Sequence, residues 1–303
     1  MTVWGWRRWG LILPPFVWLG VFFLLPLGIV AAISLSKSAD AIPPYLPLVS
    51  RGPAGLESHA TLDNYRLIAE GDLRAYVVSL AYAGVATVLC LLVGYPIAFA
   101  IARAPKGWRT LLLFFVILPF WTSLLIRIYA WIAILQPTGL LNRALRALGL
   151  IDVPLLLIYN DFSVVLGLVY GYLPFMILPL YGSLSQLDES LVEAAADLGA
   201  RPIHTFVEVV LPLSLPGIAA GALLVFIPAI GEFVVPDLLG GPQTPMIGKV
   251  LWQEFFDNVD WPAASAIAMV LVALLALPLL IAQRLVDPRD RPQGRAARRG
   301  RPA

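Results

Sequence analysis

Apolar residues fall along the chain in six long runs, at about 11–33, 76–102, 111–135, 162–183, 213–235 and 263–282, separated by polar, Pro-rich or charged segments. Each run has roughly the 20 residues that an α-helix needs to cross a hydrocarbon core. Pro26, Pro96, Pro119, Pro174, Pro179, Pro228 and Pro278 lie inside the runs. Helices in a bilayer tolerate such prolines, often with a kink, because neighbouring groups satisfy the freed backbone. No run alternates in the manner of a membrane barrel strand. The pattern predicts an all-α integral membrane protein with six transmembrane helices. Its expected organisation is a first helix with a long extracytoplasmic loop over 1–75, a membrane domain over 76–285 and a basic cytoplasmic tail over 286–303.

Between the fourth and fifth runs the periodicity changes. Ser185 reads as a helix cap with Asp188 three residues on, acids crowd the first turns as the helix dipole favours, and Glu189, Glu193 and Asp197 line one face. Leu187, Leu191, Ala194 and Leu198 fall on another face at helical spacing. Ala194, Ala195 and Ala196 make the middle slim, so that another surface could approach the backbone closely. Gly199 suits a helix stop, and Pro202 suits the first turn of the next helix, so Arg201 and Pro202 mark an elbow. Read by itself, this is an amphipathic segment that either lies on the bilayer or docks a partner.

Composition changes the picture by exclusion. Of the 303 residues, 59% are hydrophobic and 13% charged, too few charges to cover a water-soluble domain of this size. The single cysteine, Cys90, lies in an apolar run, so the chain has no disulfide framework of its own. The net charge of +2 is small, and arginines crowd the tail from Arg284 to Arg301. A tail of this kind reads as an anchor near anionic lipid rather than a nucleic-acid arm. Arg7 and Arg8 precede a first run too long for a signal-peptide core, so an uncleaved span is expected. With the N-terminus inside, thirteen basic residues fall in cytoplasmic segments and seven in outer ones. Both termini and the Glu193 loop are therefore expected on the cytoplasmic side.

Catalytic chemistry is not visible. The stretch from Gly241 to Lys249 spaces its glycines wrongly for a phosphate loop, and Val250 stands where a magnesium-binding Ser or Thr is needed. His59 and His204 are the only histidines, and no metal-ligand cluster or nucleophile set accompanies them. Charges inside the runs are more informative, since burying one at the bilayer centre costs at least ~2.5 kcal/mol. Counted along straight helices, Arg127 and Glu232 each lie about 27 to 30 Å from the inner edge, near the outer surface. There they either reach headgroups or form an ion pair, Arg127 with Glu232 or Asp161.

The spacing in the Glu193 loop is specific. Glu193-Ala194-Ala195, three residues, Gly199, nine residues, then Val209-Val210-Leu211-Pro212 resembles the EAA signature of permease subunits of binding-protein-dependent, type I ABC importers, with Val209 where the family usually has Ile. The resemblance implies that fold, with Glu193, Ala194, Ala195, Asp197, Leu198, Gly199 and Arg201 in a coupling helix that inserts into a separate ATPase subunit. It also implies a second permease subunit, two ATPase subunits that bind ATP and magnesium, an extracytoplasmic solute-binding protein, a bacterial inner-membrane location and no cofactor or metal on this chain.

Three further stretches narrow the resemblance. Leu118-Pro119-Phe120-Trp121-Thr122-Ser123 running into Arg127-Ile128-Tyr129-Ala130-Trp131, then Gly231 to Gly241, then Met246 to Ala266 are similar to the first permease subunit of spermidine/putrescine importers. Lys249, often Arg in that group, and the arginine-rich tail depart from it. A path for extended polycations should present carboxylates and aromatic faces. Glu232 and Asp237 meet the first demand, and Trp121, Tyr129, Trp131 and Tyr172 the second, unless these rings belong to the interfacial belt. Relatives that carry opine-like, amino-acid-like or iron cargo keep those solutes as alternatives. A self-sufficient secondary transporter would show internal repeats and midplane titratable groups, and a membrane enzyme would show a polar constellation; neither pattern is evident.

Overall fold

A computed structural model describes residues 12–52, 55–68, 71, 73–241 and 244–286. Arg7, Arg8 and the basic tail lie outside the described residues. Among the described residues, six helical stretches are long and apolar enough to cross a membrane: Ile12–Ser34, Leu73–Arg103, Leu124–Ala147, Asp161–Leu184, Pro202–Ile230 and Trp261–Leu280. The elements are α1 (Ile12–Ser34), β1 (Val49–Gly52), β2 (Gly55–Ser58), α2 (Asp63–Leu67), α3 (Leu73–Arg103), α4 (Lys106–Ile117), α5 (Leu124–Leu135) and α6 (Leu140–Ala147). They continue with α7 (Asp161–Leu184), α8 (Glu189–Asp197), α9 (Pro202–Ile230), α10 (Val234–Leu238), α11 (Ile247–Trp252) and α12 (Trp261–Val286).

By their contacts the residues form two units, one up to Arg74 together with Val250–Leu274, the other Ala75–Lys249 together with the residues from Leu275. In the first unit, β1 and β2 pair antiparallel with Val49 opposite Ser58, a small hairpin that the hydrophobic pattern does not announce. Asn64 donates from its amide to the carbonyls of Ser34 and Ser36, 2.9 Å each, which ties α2 to the end of α1. Phe255 stacks on Trp261 with ring centroids 5.2 Å apart.

The core of the second unit lies where α3, α7 and α9 meet. Cys90, Tyr95, Ala98, Ile101, Met176, Ile177, Leu180 and Val225 are buried there together. Small residues let α7 and α9 approach. A methyl group on Gly217 would stand 2.6 Å from the Ser183 Cβ and 2.9 Å from the Pro179 carbonyl, and one on Gly221 2.7 Å from the Met176 Sδ. The Tyr95 hydroxyl lies 2.9 Å from the Ser214 hydroxyl, a polar contact that joins α3 to α9 inside the apolar core.

Two expected runs differ from the structure. The run at 111–135 is not one rod: α4 ends at Ile117, a tight 3₁₀ turn covers Leu118–Trp121, and α5 starts after Ser123. Pro119 at the start of that turn lacks the amide a continuous α-helix would need there. The run at 213–235 begins earlier, at Pro202, passes through a π-turn at Phe206–Val210 and ends at Ile230, before Gly231.

Candidate functional site

Helix α8 has both of its ends satisfied. Its N-cap is Asp188, whose carboxylate accepts from the Ser190 amide at 3.0 Å. This corrects the cap expected at Ser185, which instead donates to the Gly182 carbonyl at 3.2 Å. A short carboxylate reaches the amide two residues on when its own backbone is extended, as at Asp188 (ψ 118°). That hydrogen bond holds the Asp188 carboxyl below the ordinary carboxylate pKa. At the other end Gly199 takes φ +81°, its amide donates to Ala196 at 2.9 Å, and Ala200 donates to Ala195 at 3.0 Å. These two bonds are a Schellman stop, and the positive φ is what glycine supplies. Arg201, extended at ψ 150°, then caps α9, whose first residue is Pro202.

The apolar stripe of this segment does not behave as one buried face. Leu187 and Val192 pack against the core, whereas Leu191 is 46% and Leu198 89% exposed. Glu193, Ala194, Asp197, Gly199 and Arg201 are exposed too, and Ala195 is half-buried. Beside it runs a groove of about 550 Å³ lined by Pro179, Ser183, Leu187, Asp188, Leu191 and Pro216 among others. The helix is thus held on one side by the core and presents leucines and acids on the other.

The second group of expected residues lies beyond the opposite end of α9, against the middle of α7. Glu232 accepts a 2.5 Å hydrogen bond from the Tyr172 hydroxyl through Oε2 and a 3.0 Å bond from the Val234 amide through Oε1. Asp237, on α10, pairs with Lys249 Nζ at 3.1 Å. α10 is pinned to the start of α7, because the Leu239 carbonyl accepts from the Tyr159 amide at 3.0 Å and the Ser163 hydroxyl at 2.7 Å. The Arg127 guanidinium lies over the Phe120 ring at 5.2 Å and the Tyr170 ring at 6.0 Å. Its Nε and Nη1 are buried without a hydrogen-bond partner among the described residues.

Tyr170 and Tyr172 sit about 14 and 17 Å along α7 from its first residue. The straight-rod count, which puts Arg127 and Glu232 near an outer edge, therefore overstates their height. The contacts with Tyr170 and Tyr172 set Arg127 and Glu232 beside the middle of α7. The three members of the expected ion pair each have other neighbours: Arg127 two rings, Glu232 the Tyr172 hydroxyl, and Asp161 the Tyr82 hydroxyl at 2.7 Å. Among the aromatic candidates, Tyr172 is brought to Glu232. Trp131 packs edge-on against Tyr170 at 5.5 Å, and Trp121 and Tyr129 are exposed. Phe120 and Phe175, 5.0 Å apart, bridge the two groups. Sequence reasoning passed over Tyr82, Tyr170 and the Lys249 contact; only Lys249 carried a signal, as a charge at the edge of an apolar stretch.

Residues 67–292 match the family described as the binding-protein-dependent transport system inner membrane component. The chain belongs to this family. As an inner membrane component of that kind it is a multi-pass permease, and its relatives agree in length and type. The spermidine/putrescine transport system permease protein PotB of Haemophilus influenzae is 42% identical over 272 residues, 89% of this chain and 90% of the relative. The protein of the same name from Escherichia coli K12 is 41% identical, over 89% of this chain and 95% of its own. The inner membrane ABC transporter permease protein YdcU of Escherichia coli K12 is 33% identical over 91% and 88%. Among solved structures, a bacterial ABC transporter involved in the import of the acidic polysaccharide alginate matches with a TM-score of 0.64 at 18% identity, covering 93% of this permease and 96% of that chain. The MetNI methionine ABC transporter matches with a TM-score of 0.54 at 19% identity, over 75% and 97%. These two likenesses carry the fold.

Proposed function

We propose that this permease subunit imports a polyamine of the spermidine/putrescine class, taking it from an extracytoplasmic solute-binding protein and releasing it into the cytoplasm by alternating access. The similarity to spermidine/putrescine permeases along most of the chain is the observation that carries the cargo class. Glu232 and Asp237, with Tyr172 beside Glu232, give the path carboxylates and an aromatic face of the kind an alkylammonium seeks. The remaining partners are a second permease subunit, forming a heterodimer, and two ATPase subunits that hold the ATP and magnesium. Both termini and α8 face the cytoplasm, in keeping with the distribution of lysine and arginine.

Coupling runs through α8 and α9. Leu191, Leu198, Glu193 and Asp197 are exposed on a helix anchored from behind by Leu187 and Val192, which suits insertion into a groove of the ATPase. The Schellman stop at Gly199 hands the motion to α9, one helix of 29 residues that ends two residues before Glu232. A tilt imposed on α8 is thus delivered to the far end of α9, beside the cargo carboxylate. The test is ATP hydrolysis by the reconstituted complex, wild type against Gly199→Asp, with spermidine, putrescine and unrelated solutes. At φ +81° an aspartate is strained by about 1 kcal/mol, and its side chain enters the docking face. Polyamine-stimulated hydrolysis that is lost in an assembled Gly199→Asp complex is the expected result. Hydrolysis unaffected by the substitution removes the coupling role, and stimulation by another solute alone removes the polyamine.

A further inference from the structure

The pairing of Asp237 with Lys249 bears on how the path handles a polycation with nothing in it. Both residues are held by backbone rather than by each other. Gly248 is packed so tightly that a methyl group there would collide with the carbonyls of Gly231 and Glu232, and the Ile247 amide donates to the buried Ser79 hydroxyl at 2.7 Å. Lys249 is therefore fixed at its Cα beside the Glu232 segment. Asp237 is fixed through the Leu239 carbonyl on the start of α7. What remains free is the four-carbon stem of Lys249, which ends in a primary ammonium, the same group that terminates a polyamine. The carboxylate it touches is 54% exposed and Lys249 itself 22%, so the contact is reachable by solvent and exchangeable.

From this geometry, and resting on the polyamine reading above, we infer that Lys249 is a tethered counter-ion that occupies the Asp237 carboxylate in the empty permease and is displaced by an ammonium group of the cargo. The exchange conserves charge. Asp237 is never left unpaired in the path, and Lys249 recaptures it once the cargo has moved on. A structural ion pair and an exchanging one differ in sign: removing Lys249 weakens cargo binding if the lysine merely positions Asp237, and strengthens it if the lysine competes.

Two measurements on the same preparations separate the inference from the reading beneath it. Uptake of labelled spermidine into proteoliposomes holding the whole complex, supplied with loaded solute-binding protein, asks whether polyamines are cargo. Equilibrium binding of labelled spermidine to the assembled permease–ATPase complex without the binding protein asks about exchange. Lys249→Gln should bind about two- to fivefold more tightly than wild type at low salt, with the gap closing as salt is raised, while Lys249→Arg keeps the competitor and the wild-type affinity. Asp237→Asn should bind more weakly than either. Equal or weaker binding by Lys249→Gln, or binding too weak to detect in both, overturns the exchange. Uptake by the wild type alongside such a result leaves the polyamine reading standing, and no spermidine uptake by the wild type overturns both.

Discussion

At the scale of single residues, Asp188 ties a titration to a helix. Its carboxylate is ionised at neutral pH, caps α8 through the Ser190 amide and has its pKa lowered by that bond. A group with a depressed pKa in the folded state contributes stability above its ordinary value and loses that contribution as pH falls through the folded value. The first turn of α8 should therefore loosen on acidification below the ordinary carboxylate range. Hydrogen exchange at the Ser190 amide reads this directly. Asp188→Ala should lose protection there at all pH values, whereas Asp188→Asn, an equally good cap without a charge, should keep the protection and lose its dependence on pH. Protection that survives Asp188→Ala would place the cap elsewhere.

At the scale of elements, the approach of α7 to α9 depends on two glycines that fail in different ways when filled. Gly217→Ala sets its methyl against the Pro179 carbonyl and the Ser183 Cβ, which are backbone or one bond from it. Gly221→Ala meets first the Met176 Sδ, toward the end of a flexible side chain, at 2.7 Å, and then the Met176 carbonyl at 3.1 Å, a little farther off than the Pro179 carbonyl at 2.9 Å from Gly217. Overpacking costs about 1 to 3 kcal/mol. Gly217→Ala should sit at the upper end and Gly221→Ala at the lower, and thermal unfolding in detergent ranks them; the reverse order would mean that the helices slide rather than clash. The elements also mark how far a pattern of apolar residues can be read. It locates six spanning stretches, the stop at Gly199 and the restart at Pro202, because these follow from local hydrophobicity and local backbone chemistry. It misses the break between α4 and α5, since a run at 111–135 stays apolar whether the helix continues or turns. The 49–58 hairpin escapes for the same reason: four-residue strands paired only with each other leave too little periodic signal. Neighbours of Arg127, Glu232 and Asp161 are chosen by packing against α7 from distant parts of the chain, and no spacing records that choice.

For the whole molecule, much depends on which end of α7 meets the cytoplasm, because coupling to an ATPase is impossible from the other side. The proposed topology, drawn from the distribution of lysine and arginine, has α8 inside and the segment between α6 and α7 outside. The chain's one cysteine makes this easy to test. Cys90 is buried in the core with its thiol directed at the Val169 carbonyl at 3.6 Å, so Cys90→Ala leaves a silent background at the cost of one small side-chain contact. Leu198 at the end of α8 and Leu148 just after α6 are exposed by 89% and 73%, and both belong to the same unit. In that background Leu198→Cys should react with a membrane-impermeant maleimide in inside-out vesicles and stay silent in right-side-out ones, while Leu148→Cys should do the opposite. Adding the ATPase subunits should then shield Leu198→Cys, if the exposed leucine docks them as proposed, and leave Leu148→Cys untouched. Labelling of Leu198→Cys from the outside would invert the topology, and with it the route by which hydrolysis reaches Glu232.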